Sequence, residues 1–331
     1  MKAVITVGPK KSVVKDIAEP AMNDDSVKIK IQYCGVCHSE RYAWAHNPEG
    51  GAFGHEPMGT IVAVGKNVTG LSVGDRVSGL WGSTLPGAGA MVEYAVANVK
   101  SSTIIKLPDT LRAVDLIVEP LACMFSAVSK IADTMPGTAI GVVGCGYMGC
   151  GVISLLKLRG FHVVAVDIRE SSRKNALTYG AAEAYSPQDA LARFGQSAVA
   201  SGAAGFAVVT EWGETDESLD LAINLTRECG LLCVGAYHTG PKRLVDMQQL
   251  GEKAIVMHNA HPREAWLLRT GAVRSVAMLT GGEWNYKDIP TMVYPINQFD
   301  RAIEDMDTKY GRFMKAVIDM EMEDGEPYLA K

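Results

Sequence analysis

The stretch Thr138-Ala139-Ile140-Gly141-Val142-Val143-Gly144-Cys145-Gly146-Tyr147-Met148-Gly149 decides how the chain folds. It starts as a continuous apolar run, the pattern of a strand buried on both faces. It closes on Gly144–Gly149, which fits G-x-G-x-x-G, and a helical pattern runs from Tyr147 to Arg159 before Gly160 stops it. In that setting each glycine has a task. Gly144 permits the tight turn, Gly146 lets the backbone approach a pyrophosphate, and Gly149 lets the helix pack on the strand. The helix N-terminus, where Tyr147 and Met148 lie, offers free N–H groups and a positive dipole end to phosphates. The bland alternative is a glycine-rich turn in some other α/β protein.

Working outward, a second buried strand, Phe161–Val166, ends at Asp167, 18 residues past Gly149. An acid there hydrogen-bonds the adenosine ribose hydroxyls and repels a 2′-phosphate, so NAD is expected over NADP. Arg169 and Arg173 follow closely, and an arginine can accommodate that phosphate. A helix Ser171–Tyr179 precedes Gly180. Strands at Phe206–Thr210, Leu231–Gly235 and Ala254–Met257 come next, with a helix Thr215–Arg227 between the first two. Strand and helix alternate, which predicts a parallel sheet covered by helices on both faces. Cys145 reads as a small filler rather than a reactive thiol, and Cys229 and Cys233 read as core.

The chain on either side differs. Residues 1–108 are β-rich, with short Val- and Ile-rich runs at Lys2–Val7, Val27–Tyr33, Met58–Val64, Asp75–Leu80 and Met91–Val96. Leu111–Met135 has helical spacing, ended by Pro136-Gly137. After residue 258 the alternation weakens. A helix from Pro262, a strand Met292–Ile296, a helix Gln298–Thr308, a strand Ala316–Met320 and a polar extended tail, Glu321–Lys331, are expected.

A length of 331 residues suits two domains, and 47% hydrophobic with 21% charged residues is the composition of a folded protein. The net charge of −5 comes without a basic run, so neither a nucleic acid nor a membrane is expected as a partner. The N-terminus lacks the apolar core and cleavage site of a signal peptide, which places the chain in the cytoplasm. Seven scattered cysteines argue against a disulfide framework.

Chemistry concentrates in Cys34-Gly35-Val36-Cys37-His38-Ser39-Glu40 and in Gly54-His55-Glu56, whose His55 lies 18 residues past Cys37. Thiolate, imidazole and carboxylate are the side chains that bind zinc, and a catalytic zinc takes three of them and leaves one position open. Cys37 and His55 are two. The third is either Glu56 or Glu119, an acid in the apolar run Val118-Glu119-Pro120-Leu121-Ala122; Cys123 competes. A structural zinc knuckle at Cys34 and Cys37 would need a second C-x-x-C, and none exists.

Together these motifs resemble the zinc-dependent medium-chain alcohol and polyol dehydrogenases. Gly35–Glu40, Gly54–Glu56, Gly59–Gly65, Val73–Val77, Glu119-Pro120-Leu121, Gly144–Gly149 and Asp167 occur in family order over most of the chain. The resemblance implies an α/β protein: a GroES-like β-barrel catalytic domain (1–121 and 259–331) with an inserted NAD-binding Rossmann domain (122–258). It implies zinc on Cys37 and His55, with Glu56 or Glu119 as the third ligand. Ser39 takes the substrate proton, and Glu40, in place of the usual aspartate, orients His55. His38 is expected to face the cofactor phosphates. The expected cofactors are one catalytic Zn2+ and NAD, and the expected assembly is a homodimer or homotetramer.

Three departures stand out. No cysteines follow Val77 through Val92, so no structural zinc is expected. The relay histidine is replaced by Tyr42. Val256-Met257-His258-Asn259-Ala260-His261 is unusually polar for a strand end near a nicotinamide. The Glu-Pro-Leu branch resembles sorbitol, threonine and sugar dehydrogenases. Tyr42, Trp44, His46 and Trp81, read as loop residues lining the cleft, suit a polyol, sugar or cyclitol. The rival readings are a zinc-free quinone or enoyl reductase and a non-catalytic nucleotide-binding relative.

Overall fold

Backbone hydrogen bonds sort the strands into a parallel sheet, a mixed sheet and a hairpin. The computed structural model describes residues 1–46, 53–81, 89–131, 137–195, 205–261, 263–308 and 311–331. The chain forms two compact units. The first comprises Met1–Ala122, Ala272–Gly281 and Lys287–Lys331; the second comprises Cys123–Gly271 and Gly282–Tyr286.

The first unit opens with a hairpin of β1 (Lys2–Gly8) and β2 (Lys11–Asp16). Its long strand β3 (Ser26–Gly35) pairs antiparallel with β4 (Glu56–Val64), which continues to β5 (Arg76–Leu80). β6 (Tyr94–Asn98) also pairs with β3, and β7 (Thr103–Lys106) closes the edge on β5. Between β3 and β4 lies a short helix, α1 (Glu40–His46). Val27, Ile29 and Ile31 of β3 are fully buried, as period-two alternation requires. Each such side chain contributes about 1.5–3 kcal/mol on leaving water.

α2 (Val118–Ser129) leads onward. The expected helix Leu111–Met135 is shorter than its apolar spacing suggested: a 3-10 turn at Ala113–Leu116 precedes α2, and Met135 lies outside the described residues.

The second unit alternates as expected. β8 (Ala139–Val143), α3 (Tyr147–Leu158), β9 (His162–Val166), α4 (Glu170–Thr178), β10 (Glu183–Tyr185), α5 (Pro187–Phe194), β11 (Phe206–Glu211), α6 (Asp216–Leu225), β12 (Thr226–Val234), α7 (Met247–Glu252) and β13 (Val256–Asn259) follow in order. The strands are all parallel, in spatial order β10-β9-β8-β11-β12-β13. Renumbered from β8 this is 3-2-1-4-5-6, the doubly wound dinucleotide order, which reverses between β8 and β11. Cys229 is a correction: it is exposed, at φ +53, whereas Cys233 is buried as expected. Here β12 begins at Thr226, inside the expected helix, and turns Cys229 outward.

α8 (Ala265–Gly281) follows, and the expected start at Pro262 lies outside the described residues. β14 (Thr291–Pro295), α9 (Phe299–Thr308) and β15 (Lys315–Asp319) then return to the first unit. β15 pairs antiparallel with the end of β3, placing Val317 opposite Gly35. The tail adds β16 (Tyr328–Leu329) on β14. Among the described residues no helix is long and apolar enough to cross a membrane.

Candidate active site

The first unit gathers its chemistry where β3 ends and β4 begins. Among the described residues, Cys37, His55 and Glu56 bring a sulfur, a ring nitrogen and a carboxylate oxygen within 4.8 Å of one another. Cys37 follows β3, and Glu56 opens β4 opposite Gly35. A Cβ on Gly35 would fall 1.9 Å from Glu56 Oε2, so only glycine leaves room for the carboxylate.

Glu40, buried at the start of α1, ties the two segments together. Its Oε1 accepts from Gly54 N at 2.6 Å and lies 3.2 Å from His55 Nδ1. Its Oε2 accepts from Cys37 N at 3.3 Å. Nδ1 is thereby occupied, and the other ring nitrogen remains for a ligand. Ser39 Oγ donates to Cys37 Sγ at 3.1 Å, so the hydroxyl stands against the same thiol.

The cluster is electron-rich and draws positive charge. Burial opposes charging His55, yet its contacts with Cys37 and Glu40 outweigh burial and raise its pKa. Burial raises the Cys37 thiol, against the lowering effect of His55. Lys315, at the start of β15, is buried with Nζ 2.5 Å from Glu56 Oε2 and donates to Val36 O at 3.1 Å. Burial disfavours that ammonium, but the charges of Glu56 and Cys37, with a smaller contribution from Glu119, hold its pKa above the ordinary lysine value. Lys315 and Glu56 thus form a buried ion pair at the edge of the cluster. Sulfur, nitrogen and oxygen ligand atoms within 4.8 Å of one another are a donor set that suits a divalent cation of the zinc class.

Glu119 lies in the first turn of α2, half-buried, outside the Cys37–His55–Glu56 group. Tyr42 is exposed on α1, stacked on His46 at 4.3 Å. Tyr42, Trp44 and His46 are therefore helical, not loop residues. Trp44 is in the core, where Nε1 donates to Asp300 Oδ1 at 2.7 Å, and Trp81 is buried too, so these two rings are packing. The spacing of aromatics concealed a helix of 7 residues. His38 Nε2 lies 3.3 Å from Asp307 Oδ1 on α9, and Arg41 pairs with the other oxygen at 2.6 Å. Lys315, Asp300 and Asp307, remote in sequence, brace this region without any local motif. The span 82–88, inside the segment where a structural-zinc lobe would fall, lies outside the described residues.

In the second unit Gly144 has φ +88, and a Cβ there would lie 2.7 Å from the backbone carbon of Trp212. A Cβ on Gly149 would fall 2.0 Å from Gly144 O, whereas one on Gly146 would meet nothing within 4 Å. The turn is packed beneath and open above Gly146, which leaves space for a pyrophosphate. α3 has no side-chain cap at Gly146, and Tyr147 and Met148 stand in its first turn, the end of a helix that attracts phosphates. Asp167 ends β9 with Oδ2 accepting from Cys145 N at 2.7 Å and Oδ1 accepting from Arg169 N at 2.8 Å and Nε at 3.2 Å. Arg173 donates to Asp167 O at 2.9 Å. Cys145 is buried, and burial pushes its thiol well above the usual range, which removes it as a nucleophile.

Comparison with known proteins agrees with both units. The alcohol dehydrogenase GroES-like domain matches residues 23–109, and an NAD-binding domain, that of 3-hydroxyacyl-CoA dehydrogenase, matches residues 139–228. In carrying both domains the chain resembles the medium-chain alcohol dehydrogenases. An alcohol dehydrogenase of Geobacillus stearothermophilus is 30% identical over 55% of this chain and 62% of its own length, so the match spans under two thirds of that relative. The D-xylulose reductase of Morganella morganii is 27% identical over 92% of this chain and 98% of its own. In fold, L-idonate 5-dehydrogenase of Escherichia coli superposes with a TM-score of 0.78 at 18% identity, covering 96% of this chain and 97% of that one. The fold thus combines a GroES-like unit and a Rossmann unit.

Proposed function

We propose that this protein is a zinc-dependent oxidoreductase of the medium-chain alcohol dehydrogenase kind, which moves hydride between NAD and a secondary alcohol carbon of a polyol, sugar or cyclitol. The observation that carries the reading is the Cys37–His55–Glu56 group with Ser39 Oγ on the Cys37 sulfur. Those three residues would hold the metal, with Glu119 as the neighbouring carboxylate. The glycine turn at Gly144–Gly149 and Asp167 would hold the dinucleotide. Zinc held there would supply Lewis-acid activation of an alcohol, and the dinucleotide would supply the hydride acceptor.

The chain's own residues do the rest. Ser39 Oγ accepts the alcohol proton and passes it toward solvent, with exposed Tyr42 in place of a histidine relay. Glu40 holds the His55 ring in one orientation. Asp167 disfavours a 2′-phosphate, which makes NAD the preferred dinucleotide. The D-xylulose reductase and L-idonate 5-dehydrogenase resemblances support a polyhydroxylated substrate. A panel of polyols, sugars and cyclitols assayed for NADH formation tests this. Turnover of at least one with bound zinc supports the reading, and turnover of none with metal and NAD both bound refutes it.

A further inference from the structure

The apolar strand β11, Phe206-Ala207-Val208-Val209-Thr210-Glu211, ends on a carboxylate that no part of the chemistry above uses. Glu211 is 0% exposed. Its Oε1 accepts from Gly213 N at 2.6 Å, Glu214 N at 2.9 Å and Ser218 Oγ at 2.6 Å. Its Oε2 faces His238 Nε2 at 2.9 Å. Arg243 Nε donates to His238 Nδ1 at 3.2 Å. An arginine can only donate, so Nδ1 is an acceptor and Nε2 carries the proton given to Glu211. Arg243 thus fixes the tautomer, and Glu211 fixes the ring.

Two links of this chain sit on unusual backbone: Glu214 has φ +63 and His238 has φ +36. Non-glycine residues rarely adopt such angles, and they persist where surrounding contacts enforce them. The turn they shape, Trp212–Glu214, is the one that backs Gly144. Trp212 N donates to Val143 O at 2.7 Å, and the Trp212 carbonyl carbon is what a side chain at Gly144 would strike. β8 and β11 are the neighbours between which strand order reverses, the crevice where doubly wound sheets bind ligands.

We propose that Glu211, His238 and Arg243 form a positioning chain that holds the Trp212–Glu214 turn against Gly144 and so sets the pyrophosphate turn for the dinucleotide. The inference rests on the dinucleotide reading above. It assigns none of the three a contact with the cofactor; they act through the backbone of residues 212–214.

The test is NADH titration by calorimetry on the full-length protein, at a temperature where each variant is folded. His238→Leu and His238→Gln share the backbone strain, but glutamine keeps a donor toward Glu211. His238→Leu is expected to weaken NADH binding about tenfold or more, and His238→Gln to stay within about threefold of the wild type. Should His238→Leu not fold, Arg243→Met is expected to weaken binding about threefold, since it releases the tautomer without emptying the core. Equal affinity of the leucine and glutamine variants, or of Arg243→Met and the wild type, overturns the proposal. A wild type that binds no dinucleotide overturns the underlying reading, and the positioning role with it.

Discussion

Lys315 Nζ lies 2.5 Å from Glu56 Oε2, with both side chains buried. The pair joins the first residue of β15 to the first residue of β4, 259 residues apart. Removing one charge leaves the other buried without a partner. Lys315→Met should lower unfolding stability by about 3–5 kcal/mol in urea melts. Adding Glu56→Gln should recover more than half of that loss; no recovery would mean that the pair is not the reason.

Glu40 supports both halves of the proposed metal group, touching Cys37 N, Gly54 N and His55 Nδ1. Glu40→Gln keeps the shape and removes the charge beside His55. Metal affinity, read by competition with a chelator, should fall about 10–100-fold while the fold persists. Unchanged affinity would show that His55 needs no such support.

Asp167 closes on the glycine turn and on Arg169 at once. Asp167→Ser removes the charge proposed to repel a 2′-phosphate and releases the Arg169 guanidinium. The ratio of kcat/KM for NADP over NAD should rise about tenfold or more. A ratio that stays flat would place cofactor choice elsewhere.

The dinucleotide unit was the most legible part of the chain. Its strands are buried on both faces, so apolar runs and glycine punctuation mark them without tertiary help. The Cys37 and His55 segments were legible because thiol, imidazole and carboxylate cluster locally. Lys315 was not: a lysine opening a strand reads as solvent-facing until its partner, hundreds of residues earlier, is known. The same holds for Asp300 and Asp307, whose partners, Trp44 for the first and His38 and Arg41 for the second, lie on the far side of the sequence. β2, Lys-Ser-Val-Val-Lys-Asp, was missed because its alternation is polar and half-exposed, and it is a strand only through pairing with β1. α1 was missed because its aromatics mimic a cleft lining, although Trp44 faces the core.

The central claim is that Cys37, His55 and Glu56 hold a catalytic zinc. Elemental analysis of the purified protein and of Cys37→Ser, paired with NAD-dependent turnover of the best polyol, tests it most directly. The wild type should carry about one zinc per chain, and the variant should lose both metal and turnover while remaining folded by circular dichroism. A Cys37→Ser protein that keeps its zinc and its full activity would contradict the account.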